Sequence, residues 1–334
     1  MKKQIIIVGG LIAICAVAIV VLMYIASQKK SDSIVMNVEQ KEEKLVVTAS
    51  IFPLYDIVRN VAGDRADVHL LLPPGASPHF FEFTPQQINK LKGTDTAFVI
   101  GYGIDNWAED VLESIGADVV TVDSGIALRT KEESHDTATE VEHGGHHDDE
   151  HGDESAHEHS HGDSMTNPHY WLDMNNAARI AQNVADVLAQ NDPNNSDAYQ
   201  QNAQEFITQL ALVDQDLQDR VATLSHKDMI TLHKAWPYFA AHFGLHIAGT
   251  FMPEAGTEPS PQYLANLGHA AEEMGAGVIF TEPQLSTQSI ETFAKDNDLK
   301  IAVIDPLGGV PGRDTYIDLM VYNVNTIVNM LEKK

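Results

Sequence analysis

The sequence predicts an α/β protein with two lobes, each a four-stranded, mainly parallel sheet flanked by helices, joined by one long linker helix. Short runs rich in β-branched residues alternate with helical stretches, which is typical of parallel α/β layers. Eight such runs occur, four on either side of a helical stretch at residues 196–224. A chain of 334 residues with 43% hydrophobic content is long enough to bury two cores.

The predicted strands are short and divide equally between the two halves. They are residues 45–50, 66–72, 96–101 and 118–123, followed by 229–233, 246–251, 277–282 and 300–305. In the linker, Phe206, Leu210 and Leu217 follow the spacing of one helical face. The predicted domains are an N-terminal lobe at 45–195, the linker at 196–224 and a C-terminal lobe at 225–334.

The N-terminal part is predicted to be a membrane anchor or signal segment at residues 1–30, followed by a polar tether at 31–44. Residues 5–26 are uncharged and largely apolar, and as a helix they would extend about 33 Å, roughly the thickness of a hydrocarbon core. No well-formed cleavage site is present, which favours an uncleaved anchor over a cleaved signal. Ile14 before Cys15 disfavours a lipoprotein signal. We expect an extracytoplasmic protein tethered to the cytoplasmic membrane unless this segment is cleaved.

The chain is strongly acidic, with a formal net charge of −27. This charge repels phosphate backbones, so nucleic acid is not expected as a partner and cations are. Cys15 is the only cysteine and lies in the apolar N-terminal segment. Any metal held by the exported part must therefore be bound by histidine and carboxylate side chains.

Residues 131–165 concentrate acidic residues and histidines. Low hydrophobicity leaves this segment little surface to bury, so we expect a mobile loop. Neutral imidazoles in such a loop can bind Zn²⁺ in many weak, interchangeable pairings. The predicted role is accessory zinc collection or sensing, and a solvated spacer is the alternative. The candidate accessory ligands are His143, His146, His147, His151, His157, His159 and His161.

Four metal-competent residues lie at or near the carboxyl ends of predicted strands. His79 follows the second strand, and His169 lies where ordered sequence resumes after the acidic loop. His233 ends the first strand of the second half, and Asp305 ends the last strand. Ligands of open α/β sheets collect beyond the carboxyl ends of strands. Two residues from each half are therefore expected to converge on one inter-lobe cleft.

The motifs around these residues resemble those of the metal-specific solute-binding proteins of ABC transporters, and in particular the zinc branch of cluster A-I. The resemblance covers about residues 45–334 and includes "PPGASPHFFEFTPQQI", "NPHYWLD", "HKAWPYFAAHFGL", "EPSPQYLANL", "FTEPQLS" and "VIDPLGG". It implies His79, His169 and His233 as metal ligands, with Asp305, another carboxylate or water in the fourth position. It also implies a monomeric receptor that delivers Zn²⁺ to an ABC permease and its ATPase.

Several alternatives to the zinc receptor stay open at this point. Manganese members of the family usually carry Glu where this chain has His233, and a third imidazole favours Zn²⁺ over the harder Mn²⁺. Manganese or iron as cargo, and a zinc buffer or chaperone acting through the His-rich loop, remain alternatives. A zinc hydrolase is disfavoured because no G-x-S-x-G motif occurs and a fourth protein ligand would close the metal site. An adhesive role, a label sometimes given to this family, leaves the motifs unexplained.

Overall fold

The computed structural model describes residues 21–24, 44–130, 166–252, 256–286 and 288–332. Most of the predicted anchor and tether lies outside the described residues, and so does the His-rich loop at 131–165. Residues 21–24 are helical. Within the described part of the chain, no helix combines the length and apolar character needed to cross a membrane. Residues Lys44–Lys334 form one compact unit.

Two four-stranded parallel sheets confirm the predicted fold class. The first sheet has the order β2-β1-β3-β4 and the second has the order β6-β5-β7-β8, with every described pair of strands parallel. The first contains β1 (Leu45–Ala49), β2 (Ala66–Leu70), β3 (Thr96–Val99) and β4 (Asp118–Thr121). The second contains β5 (Asp228–His233), β6 (His246–Met252), β7 (Val278–Thr281) and β8 (Lys300–Val303).

Helices connect and flank the strands. In chain order they are α1 (Phe52–Ala62), α2 (Pro85–Lys90), α3 (Asn106–Ser114), α4 (Met174–Asn191), the linker helix α5 (Ser196–Ala222), α6 (Pro237–Phe243), α7 (Pro261–Met274), α8 (Gln288–Asp296) and α9 (Tyr316–Leu331). Side chains cap several of them: Asp173 accepts from an amide of the first turn of α4, Ser260 does so for α7, and Thr315 for α9.

The strand order reverses at the same place in both sheets. The chain moves to one side of β1 to form β2 and to the other side to form β3, and β5 has the same position relative to β6 and β7. In open α/β sheets a crevice forms beyond the carboxyl ends of the strands at such a reversal. The carboxyl ends of β1 and β3, and of β5 and β7, are therefore where each sheet can hold a ligand.

One apolar core passes through both lobes. It joins buried side chains of α1, the linker helix, the second sheet and the C-terminal helix, among them Ile57, Leu210, Leu217, Phe239, Phe280, Met320 and Val324. Helix α9 packs against α5 and α1. The last helix of the chain thus completes the core of the first lobe as well as that of the second.

Buried hydrogen bonds connect the lobes across this core. The backbone amide of Tyr316 donates to Oδ2 of Asp56 at 2.8 Å, and the Tyr316 hydroxyl donates to the Trp171 carbonyl at 2.7 Å. The indole nitrogen of Trp171 donates to the Pro306 carbonyl at 2.8 Å. Breaking such a pair without a replacement costs about 1–3 kcal/mol for each buried group left unpaired. Wide separation of the lobes is therefore unfavourable.

His242 bridges three helices in a second buried polar contact. Its Nδ1 lies 2.9 Å from Oδ1 of Asp173, the N-cap of α4, and its Nε2 lies 2.6 Å from Oδ1 of Asp214 on α5. Amides of Asn175 and Gln218 complete its surroundings. Burial acts to lower the pKa of His242, but the hydrogen bonds to Asp173 and Asp214 outweigh it and raise the pKa to about 9. His242 is therefore a cation at neutral pH.

The ion pairs of His242 predict a loss of stability at alkaline pH. The folded-state pKa of about 9 lies above the ordinary value of 6.5, so the stabilisation is complete below pH 6.5 and disappears as the pH rises through 9. For the metal-free protein we expect the free energy of unfolding in urea to fall by about 2 kcal/mol between pH 7 and pH 10.

The His242→Gln variant should lose most of this pH dependence, because its side chain carries no titrating proton. Replacing the exposed His246 with Gln provides the control and should keep the parent's pH profile. A parent and a His242→Gln variant with parallel profiles between pH 7 and pH 10 would contradict the prediction.

Candidate metal centre

Three of the four predicted ligand residues meet in one place. His79 lies in the loop after β2, His169 precedes the short 3-10 turn Tyr170–Leu172, and His233 is the last residue of β5. One ring nitrogen from each lies within 4.8 Å of the other two. The ring centroids are 5.2 Å apart for His169 and His233, 5.4 Å for His79 and His233, and 5.7 Å for His79 and His169.

The tautomer of His169 follows from its hydrogen bond to Asn167. The Asn167 amide nitrogen donates to the Lys234 carbonyl at 2.8 Å, which identifies the amide oxygen as the atom 2.9 Å from Nδ1 of His169. An amide oxygen only accepts, so Nδ1 carries the proton and Nε2 carries the lone pair. Because Lys234 belongs to the second lobe, this contact orients His169 from across the cleft.

His233 is oriented in the same way by a carboxylate. Its Nδ1 lies 2.7 Å from Oε1 of Glu282, and that oxygen also accepts from the Trp236 indole nitrogen at 3.0 Å. A carboxylate accepts the Nδ1 proton and leaves the lone pair on Nε2. Glu282 is only 2% exposed, so its charge acts on His233 through little solvent. Carboxylate partners of this kind increase the basicity of metal-binding imidazoles.

The distance between the two lone-pair nitrogens suits a shared cation. Nε2 of His169 and Nε2 of His233 are 3.4 Å apart. Tetrahedral Zn²⁺ with Zn–N bonds of about 2.0–2.1 Å holds neighbouring nitrogens about 3.3 Å apart. Two lone pairs that face each other at this distance repel, and an ion between them converts the repulsion into attraction.

A small cavity adjoins the three imidazoles. Its free volume of about 10 Å³ is room for a single ion or water. Its lining residues are Ser77, Pro78, His79, Ile104, His169, Trp171, His233, Glu282, Gln284, Leu285, Pro306 and Leu307. His169 and His233 are buried, whereas His79 is half-buried. The His79 side is thus the more accessible side of the centre.

The loop that carries His79 rests on the second lobe. The ring of Phe80 covers Gly256, where a Cβ atom would lie 2.3 Å from Cζ of Phe80. Gly256 also has a φ of +77°, a conformation that favours glycine. A glycine at this position allows the loop to approach the second lobe closely and keeps His79 near the other two imidazoles.

Asp305, the fourth predicted ligand, is not brought into this group. Its Oδ1 accepts from the Gln284 amide nitrogen at 2.7 Å and the Leu307 backbone amide at 3.0 Å, and its Oδ2 accepts from Arg313 at 2.8 Å. The described residues that line the cavity include Gln284 but not Asp305. Coordination by Asp305 stays a prediction. The seven candidate accessory histidines at positions 143–161 lie outside the described residues.

Sequence reasoning missed Asn167 and Glu282, the two residues that orient the imidazoles. Glu282 directly follows β7, so the strand-end rule that identified His233 could also have identified it. Asn167 stands two residues before His169, and no periodicity or charge pattern distinguishes it. Asn167 contacts Lys234 beside His233, and Glu282 contacts His233 itself. These residues are distant in sequence, so only the folded structure reveals the contacts.

Comparisons with known proteins agree with this architecture. Residues 47–330 match the family ZnuA, described as "Zinc-uptake complex component A periplasmic". The zinc-binding protein AdcA of Streptococcus pyogenes serotype M3 is 27% identical over 299 residues, which cover 86% of this chain and 56% of AdcA. The manganese-binding lipoprotein MntA of Halalkalibacterium halodurans is 25% identical over 298 residues, which cover 87% of this chain and 90% of MntA.

A crystal structure of ZnuA has a TM-score of 0.71 with this chain at 27% identity, and the likeness covers 86% of this chain and 100% of that one. Two parallel α/β sheets with three imidazoles converging between them define a two-lobed, metal-binding solute-binding protein. The match over residues 47–330 is more specific, and the chain belongs to the ZnuA family of zinc-uptake components. Family members are solute-binding receptors, which confirms the prediction that the protein is not an enzyme. The chain spans about half the length of AdcA.

The hydrogen bonds of the centre predict the proton positions in the metal-free protein. We expect the neutral rings of His169 and His233 to carry their proton on Nδ1, because Asn167 and Glu282 accept it there. Long-range ¹H–¹⁵N NMR correlations of the imidazole rings distinguish the tautomers. In Glu282→Leu, His233 should lose this preference while His169 keeps it. An Nε2 proton on His233 in the parent protein would contradict the assignment.

Proposed function

We propose that this protein captures Zn²⁺ outside the cytoplasm through His79, His169 and His233 and delivers it to an ABC permease driven by an ATPase. The observation that carries the proposal is the pair of Nε2 atoms 3.4 Å apart, each with its lone pair directed by a hydrogen bond on the opposite ring nitrogen. Such a pair is preorganised for a tetrahedral cation. The extracytoplasmic location follows the family's description as a periplasmic component.

The nitrogen-rich donor set favours zinc over manganese as the cargo. Imidazole suits borderline Zn²⁺, whereas Mn²⁺ prefers oxygen ligands. AdcA is a zinc-binding protein and supports this choice, but MntA is named for manganese, so manganese is the second candidate. Three imidazoles with a water or a carboxylate in the fourth position suit a tetrahedral ion better than an octahedral one.

Capture and release involve small movements in this proposal. The shared core and the buried hydrogen bonds of Tyr316 and Trp171 oppose wide opening of the lobes. His79 lies on a loop and is more exposed than His169 and His233, so it is the ligand that moves when the ion enters or leaves. Contact with the permease would then displace the His79 loop and leave the ion with two ligands.

The segments outside the described residues have proposed roles that follow from their composition. The N-terminal apolar segment tethers the receptor, as a monomer, to the membrane that holds the permease. The His-rich loop at 131–165 collects zinc and passes it to the three-histidine centre. If the protein were a zinc buffer that acts through the loop alone, the loop would be its tight zinc site. The following experiment distinguishes a buffer from a receptor.

The proposal predicts which change abolishes tight zinc binding. His233→Ala removes one of three ligands and should weaken the tightest Zn²⁺ site by more than ~100-fold, because the loss of a residue that merely orients a ligand already costs about 10–100-fold. Deletion of residues 131–165 should leave one tight site per protein. Calorimetry with a competing chelator measures both. His269→Ala, on an exposed face of α7, is the matched control.

The opposite pattern, tight binding lost with the loop and kept in His233→Ala, would assign the protein to the zinc buffers. Cargo identity is decided by competitive titration of Zn²⁺ against Mn²⁺ on the parent protein. Preference for Mn²⁺ would favour the second candidate.

Glu282 provides a further test, because its Oε1 accepts the Nδ1 proton of the ligand His233. Glu282→Leu removes the acceptor for the Nδ1 proton and should weaken zinc binding by about 10–100-fold. Glu273→Leu, at an exposed position of α7, should leave the affinity unchanged. Equal zinc affinities in Glu282→Leu and the parent protein would show that His233 needs no carboxylate partner.

A further inference from the structure

Asp305 is a buried carboxylate with both oxygens already engaged. It is 1% exposed and follows β8, where Gln284 and the Leu307 amide donate to Oδ1 and Arg313 donates to Oδ2. The Arg313 side chain is only 17% exposed. If Asp305 turned towards an ion in the cavity, the guanidinium would lose its carboxylate in a largely desolvated place, which is costly.

Arg313 is held firmly enough to keep Asp305 where it is. Its backbone amide donates to the Val310 carbonyl at 2.9 Å and its carbonyl accepts from the Gly309 amide at 2.9 Å, which closes a tight loop. Its guanidinium carbon lies 4.5 Å from the centre of the Tyr322 ring on α9. A cation over an aromatic face is attracted to it. Both ends of the side chain are therefore positioned independently of the cavity.

Gln284 stands between Asp305 and the cavity. Asp305 accepts a hydrogen bond from the Gln284 amide nitrogen, which determines the orientation of the amide. The amide atom that does not contact Asp305 is therefore the oxygen, Oε1. This Oε1 is buried and has no hydrogen-bond partner among the described residues, and Gln284 lines the cavity beside the three histidines. A water bound to the ion could donate a hydrogen bond to this oxygen.

We propose that Arg313 determines metal specificity by holding Asp305 away from the ion, so that the centre offers three imidazoles and a water accepted by Gln284. This inference rests on the proposed function, in which the ion binds to the three histidines. Three nitrogens and one water form the tetrahedral set that Zn²⁺ takes readily. Mn²⁺ is denied the carboxylate oxygens that would complete a larger coordination shell.

The test measures the dissociation constants of Zn²⁺ and Mn²⁺ by chelator competition on the full chain. In Arg313→Met, Asp305 is released, and the ratio of the Mn²⁺ to the Zn²⁺ dissociation constant should fall by about tenfold or more. In Asp305→Asn the Zn²⁺ constant should change by less than about tenfold, because Asp305 is not a ligand and the amide oxygen of Asn can still accept from Gln284 and Leu307. The double variant should return to the parent's ratio.

Three controls keep the test interpretable. Arg220→Met removes an exposed arginine that pairs with Asp216, and it should not change the ratio. Arg313→Lys keeps the charge beside Asp305 and should stay close to the parent. Circular dichroism of the metal-free variants reports folding. If Arg313→Met does not fold, the Zn²⁺ constant of Asp305→Asn and the metal ratio of Arg313→Lys still test the inference.

Two results would overturn the inference. One is a loss of Zn²⁺ affinity of more than about 100-fold in well-folded Asp305→Asn, which would make Asp305 a ligand. The other is an unchanged metal ratio in folded Arg313→Met. A different result would contradict the proposed function. In that case the parent protein itself would lack a tight zinc site that depends on His233.

Discussion

The metal centre depends on the apolar core that the two sheets share. His169 and His233 belong to different lobes, so the 3.4 Å between their Nε2 atoms is set by how the lobes dock. Metal–nitrogen bonds vary by little more than a tenth of an ångström, and a hinge free to swing by several ångströms would give a weak centre. A close-packed interior has low compressibility and keeps such a distance constant. The linker helix α5 and helix α9 contribute to this common interior.

Hydrogen bonds to the two imidazoles refine what the core establishes. Asn167 connects His169 to the backbone of Lys234, and Glu282 connects His233 to Trp236. Each imidazole is thus prevented from rotating and from placing its proton on the side that faces the ion. Preorganisation of this kind lowers the entropic cost of ordering the ligand side chains when the ion binds. Glu282 thus contacts Nδ1 of His233 and leaves Nε2 of that ring to the ion.

Much of this architecture could be predicted from the sequence, for physical reasons. Strands that are buried in parallel sheets are continuous apolar runs, so β3 and β7 could be recognised, although their predicted ends at residues 101 and 282 lie beyond Val99 and Thr281. His79, His169 and His233 were accessible through their positions near strand ends and through family motifs. Asp305 met the same criteria, but its contact with Arg313 depends on a tight loop eight residues on, and nothing in the local pattern indicates that loop. The contact of Tyr316 with Asp56 joins residues 260 positions apart, and no local pattern indicates it either.

The placement of α9 has a consequence for how the protein folds. This helix of 16 residues is far from α1 in sequence, yet its Met320, Val324 and Ile327 pack in the same core as Ile57 and Val61 of α1. The first lobe therefore keeps part of its apolar surface uncovered until α9 has been synthesised. Contacts between such distant segments close large loops and slow folding. A chain truncated before α9 would expose apolar core surface that promotes aggregation. The two lobes are therefore better regarded as one folding unit than as two independent ones.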